Sequence, residues 1–174
     1  MMKNLISVKW GVALAVLTIL LGFVLGAAMG GAESQIKEAW TAAAQPGLTT
    51  VYQNDPQKIT MIVERSWKML QRAHMHAAAI GTAALVLLAI LAQLNIADLS
   101  KKVISLCLGL GGLGYSFSWL YVAFLASSVG NIAQTKDEIH IVAALSIAML
   151  LFGTASVLVL STKALFMAAK KDSL

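Results

Sequence analysis

Four long apolar runs alternate with polar stretches along this chain: residues 10–31, 70–94, 103–128 and 138–165. Each is about as long as the 20 residues an α-helix needs to cross a hydrocarbon core of about 30 Å. The first follows Lys3 and Lys9 and ends in small residues, as a signal peptide does. At about 22 residues it exceeds the roughly 7–15 of a signal core, and it is read as a membrane span. The polar stretch 32–69 is too long for a turn. Glu33 to Gln45 reads as a short helix stopped by Pro46-Gly47, and Asn54-Asp55-Pro56 as the start of the next. Nothing breaks that helix until Asn95, so it is expected to run for nearly 40 residues, roughly 58 Å. Its first four turns then stand outside the membrane. The fold expected is all-α: a single domain over 1–174, an integral membrane four-helix transmembrane bundle (up-down-up-down) with an extramembrane helical cap.

Composition agrees. The chain is 59% hydrophobic and 12% charged, with mean hydropathy +0.79, where soluble domains carry about 25% charged residues. The net charge of +5 is therefore a matter of membrane topology, not of nucleic-acid binding. Lys3, Lys9, Lys101, Lys102, Lys163, Lys170 and Lys171 fall at the two termini and the second connection, and the third connection holds only Lys136. The positive-inside rule then places both termini on the cytoplasmic side of a cell (inner) membrane. The first loop opposes this with five basic residues, Lys37, Lys58, Arg65, Lys68 and Arg72, beside four acidic ones. Cys107, the single cysteine, reads as a small buried hydrophobe. No Cys-x-x-Cys-His is present, which excludes covalent c-type haem. Nor is there a P-loop, a Gly-x-Ser-x-Gly or a His-Glu-x-x-His. Catalysis is not indicated.

The candidate chemistry lies in three histidines. His74 and His76 open the second apolar run and His140 opens the fourth. With both of those helices running inward, all three sit near the outer face. Ionisable side chains at a membrane helix mouth are costly and call for a reason. Residues two apart on a helix differ by about 200° in direction. His74 then looks inward over the small residues Ala77, Ala78 and Gly81, and His76 shares its side with Arg65, Lys68 and Arg72. Ala143 and Ala144 follow His140 as Ala77 and Ala78 follow His74, a short pattern suggesting a repeat of two hairpins. Gly22, Gly26 and Gly30 form a stripe suited to close helix packing, homodimer contacts included.

Second and fourth helices of such a bundle are diagonal neighbours, so His74 and His140 are expected to approach one iron from opposite sides. Haem b accepts such axial ligands, and small residues leave room for its ring. Arg72, Lys68 or Arg65 would meet the propionates, although their helical direction suits His76 better than His74, and Trp119 and Tyr121 would pack the ring edge. His76, or Met75, is the alternative to His74. In this the chain is similar, in a generic way, to membrane b-type cytochromes, where histidines on separate helices hold haem. The function expected is electron transfer near the outer face, with a quinol in the lipid bilayer or a soluble cytochrome as partner. Two alternatives stand beside it. One is an accessory subunit of a larger membrane complex, docking through Arg65, Lys68, Arg72 and His76. The other is a copper or zinc site drawn from His74, His76, His140 and Glu138, although the directions of His74 and His76 oppose it.

Overall fold

A computed structural model describes residues 6–172, without the side chains at 168 and 170–172. Lys3, used above for topology, lies outside that range, as do the side chains of Lys170 and Lys171. Among the described residues, five α-helices and one 3₁₀ turn follow in order: α1 Lys9–Gly31, α2 Glu33–Ala44, the turn Gln45–Gly47, α3 Pro56–Gln93, α4 Asp98–Val129 and α5 Ile132–Asp172. All but α2 are long and apolar enough to cross a membrane. The molecule is a four-helix membrane bundle, and α2 with the outer turns of α3 caps one end.

Local chemistry sets the helix ends. The Asp55 carboxylate accepts from the Gln57 amide at 2.9 Å, and Pro56 takes the first helical position, where its missing N–H costs nothing. The resulting α3 has 38 residues, about 57 Å. Between α4 and α5 the connection shrinks to Gly130 and Asn131. Gly130 closes α4 in the left-handed region at φ 76°. The Asn131 side chain accepts from the Ala133 amide at 2.9 Å and the Gln134 amide at 3.3 Å, capping α5. That helix therefore starts six residues before Glu138, where the apolar run begins. At the other end of the bundle the Lys101 ammonium donates to the Ala92 carbonyl at 3.0 Å, supplying a partner to one of the last carbonyls of α3. Ser7 donates to Asp98 at 2.6 Å, tying the start of α1 to the start of α4.

Two apolar clusters stack along the bundle. Trp40, Tyr52, Trp67, Leu70 and Val122 fill the capped end. Leu88, Leu91, Ile104, Leu108 and Val157 fill the other. Trp40 meets Trp67 and Phe124 edge-on, with ring centroids 6.4 and 5.7 Å apart. The hydroxyl of Tyr52 donates to the Ser127 carbonyl, fastening the loop after α2 to the end of α4.

The packing is asymmetric. Helix α1 lies against both α3 and α4, whereas α5 leans on α4 and touches α3 only sparsely. The close diagonal is therefore α1–α4, first span to third, not second to fourth. Glycines explain this. A Cβ on Gly11 would stand 2.5 Å from the Ser105 carbonyl oxygen, and one on Gly109 2.8 Å from Leu14 Cβ. Gly111 and Gly153 bring α4 and α5 equally close, at 2.8 Å from Ser146 and Leu108. The glycine-rich half of α4 thus receives a neighbour on each side.

Candidate functional site around Trp119

The His74 imidazole faces α1. Its Nδ1 lies 2.8 Å from the Gly22 carbonyl oxygen. A carbonyl only accepts, so Nδ1 carries the proton there. The ring lies against Gly26, where a Cβ would be 2.8 Å from Cε1. Small residues below His74 were expected to leave room for a macrocycle. That room is filled by α1: a Cβ on Gly22 would be 2.8 Å from the Ala78 nitrogen, and one on Gly81 2.7 Å from Ile19. Ala77 is fully buried in the same seam. Ala77, Ala78 and Gly81 are helix-packing residues here. The structure accordingly turns His74 to α1 and away from α5, where His140 stands. Met75 is 56% exposed toward the surroundings of the bundle.

His76 lies on the other side of α3, as its 200° offset from His74 dictates. Its ring centroid is 5.2 Å from Tyr115 and 5.7 Å from Trp119, both on α4. The Arg72 guanidinium, one turn above His76, lies 5.1 Å from the Trp119 ring centroid. From the opposite neighbour, α5, the Lys136 ammonium lies 5.3 Å from the same centroid. His140, one turn below Lys136, lines a recess of about 200 Å³ with Tyr115, Ser118, Trp119, Val122, Ile139 and Ala143. Its Nδ1 donates to the Asp137 carbonyl at 3.0 Å, which leaves Nε2 outside that bond. The structure therefore gathers His76 and His140 on one aromatic pair. The residue structurally matching His140 is His76, two positions beyond the His74 that the alanine pattern suggested.

The seam continues toward the middle of the membrane. A second recess of about 190 Å³ is lined by Ile80, Ala83, Ala84 and Leu87 of α3, Leu108 of α4, and Leu150 and Thr154 of α5. Positions 76, 80, 83 and 87 on α3 and 140, 143, 150 and 154 on α5 recur at helical spacing, so each set forms one face. The inner recess is a groove between α3 and α5 over Leu108. The recess beside His140 is lined by α4 and α5, and His76 meets the same Tyr115 and Trp119 from α3.

Electrostatics mark the capped end of this seam. Arg72 and Lys136 crowd one indole, and the ion pairs among the described residues involve neither. The Trp119 Nε1–H is buried without a hydrogen-bond partner. A buried unpaired donor is costly and asks for an acceptor. Glu138 is engaged elsewhere, accepting from the Tyr121 hydroxyl at 3.2 Å. Among the described residues no three His, Cys, Asp or Glu side chains lie together as ligands of a metal ion. Against known protein families, curated proteins and solved structures, the chain has no match.

Proposed function

We propose that this chain is a b-type haem protein of a membrane electron-transfer system, holding haem in the α3–α5 groove with His76 and His140 as axial ligands. One observation carries the reading: Arg72-x-x-x-His76 on α3 and Lys136-x-x-x-His140 on α5 converge on Trp119. The arrangement offers two imidazoles from separate helices and, one turn above each, a cation for a propionate. The orphan Trp119 N–H adds a third donor for a carboxylate. The Asp137 carbonyl fixes the His140 tautomer so that Nε2 is the ligating atom. Each recess is smaller than the roughly 300–1,000 Å³ of a drug-sized ligand pocket. A haem must therefore span both and part α3 from α5, which the sparse contact between these helices makes cheap. A bound haem would supply a one-electron couple, and the chain sets its position, axial field and exposure.

In this reading the groove lies near the outer face of an inner membrane, with both termini cytoplasmic. Its partner is a quinol arriving through the bilayer or a soluble cytochrome outside. The test is a reduced-minus-oxidised spectrum of protein made with ample haem, beside His76→Ala, His140→Ala and His74→Ala. Sharp bands in the parent that vanish in the first two variants and persist in the third are expected. Absence of haem bands in the parent would overturn the proposal. Loss only in His74→Ala and His140→Ala would restore the pairing across α1.

One feature favours the accessory-subunit reading as a second possibility. On the part of α3 outside the membrane, Gln57, Thr60, Met61, Glu64, Arg65 and Lys68 line an open groove of about 420 Å³. A partner subunit docking there would co-purify in fixed ratio at near-endogenous expression, and Arg65→Glu with Lys68→Glu would release it.

A further inference from the structure

The end of the bundle opposite the histidines holds a larger cavity. Ile96, Leu99, Val103, Phe152, Ala155 and Val159, with their neighbours on α4 and α5, line an open and mostly apolar trough of about 730 Å³. It is continuous through Ile96 and Leu160 with a second recess of about 440 Å³, whose polar margin is Asn95 and Lys163. The trough therefore runs from bare hydrocarbon-like walls to a cation and an amide.

We propose that this trough is a binding site for one anionic phospholipid, an acyl chain lying along Phe152 and Ala155 and the phosphate meeting Lys163. Two observations commit the occupant. The first is the shape of the polarity: an apolar channel on the bilayer side that ends at a basic margin fits an amphiphile lying parallel to the helices. The second is charge. Lys102 and Lys163 are exposed at this end. Lys101 is turned inward on the Ala92 carbonyl, and among the described side chains the nearby carboxylate, Asp98, already accepts from Ser7. The free charge at the margin is positive, and basic pockets between membrane helices select anionic headgroups. A zwitterionic lipid would fill the channel equally well and also offers Lys163 a phosphate, but its own cation offsets that charge, so it gains less from the basic margin. The proposal does not rest on the haem reading, whose histidines lie toward the other end of the same helices.

The experiment is thermal unfolding of the full chain in nanodiscs of phosphatidylcholine, with and without phosphatidylglycerol. Phosphatidylglycerol is expected to raise Tm by about 5 °C or more, as a ligand present far above its Kd does. Lys163→Gln should remove most of that gain. Ala155→Phe, which fills the channel from an exposed position, should do the same. Equal Tm values in the two lipids would overturn the proposal. So would a gain that survives both substitutions, because it would then be surface charge alone.

Discussion

Gly22, Gly26 and Gly30 share one helical stripe, yet only two of them need to be glycine. Gly22 and Gly26 meet Ala78 and the His74 ring at distances no real Cβ tolerates, while Gly30 has nothing within 4 Å. Gly26→Ala should therefore destabilise the bundle by about 1–3 kcal/mol through overpacking. Gly30→Ala should be neutral or stabilising by up to about 1 kcal/mol, because alanine is the better helix former. Unfolding in detergent, followed by circular dichroism, separates the two. Trp119 gives a second contrast. Trp119→Phe removes an orphan N–H and should leave the haem-free protein no less stable. If the proposed carboxylate accepts from that N–H, haem affinity should fall by about 1–3 kcal/mol, some 5- to 150-fold. A haem titration of parent and variant measures it, and unchanged affinity would remove Trp119 from the site. The sequence told which residues were chemically costly and that His74 and His76 point apart. It did not tell which of them finds α5, because that depends on which helix the α1 glycines admit.

At the scale of elements, the cap is held by polar ties whose chemistry predicts its pH response. The Lys37 ammonium lies 2.7 Å from Glu33 and 2.9 Å from Glu64, so it joins α2 to α3 and lies over Trp67 as well. Its hydrogen bonds to Glu33 and then Glu64 raise its pKa above 10.5. Burial likewise raises the Tyr52 hydroxyl above its usual 10.0. Both groups hold their protons more tightly folded than unfolded. Their stabilisation is complete below the unfolded pKa values and is lost as pH rises through the folded ones. The cap should thus be indifferent to pH between about 7 and 9 on this account and loosen above about pH 10. Fluorescence of Trp40 and Trp67 against pH reads this out. Tyr52→Phe should leave the high-pH transition to Lys37 alone and cost about 1 kcal/mol at neutral pH for the lost hydrogen bond. Cap and long α3 were legible in Asn54-Asp55-Pro56 and in the unbroken run to Asn95. The early start of α5 was not, because 132–138 is polar and its signal is only the pair Gly130-Asn131, a left-handed closure followed by a capping amide.

For the whole molecule, the consequence of the packing is that α5 is fastened to the bundle along one side. Helices α1, α3 and α4 support one another mutually, while α5 has α4 as its only extensive neighbour and presents Ile141, Leu145, Leu151, Phe152 and Leu158 outward. In a bilayer that outward face is solvated by lipid, so α5 is held laterally by its long seam with α4, glycine contacts included. A ligand that takes one group from α3 and one from α5 would tie together two spans that touch only sparsely. Haem coordinated by His76 and His140 should then protect amides of α5 more than those of α1, because α1 already has its partners. Hydrogen exchange followed by mass spectrometry on haem-loaded and haem-free protein tests this. Slowing is expected in the α5 segment around His140 and in α3 around His76, with little change in 10–31. His140→Ala should abolish the protection of α5 even where some haem stays on His76. Uniform slowing of all four spans would instead mean that the ligand stiffens the bundle without bridging the groove. Protection centred on α1 would place the iron beside His74 after all.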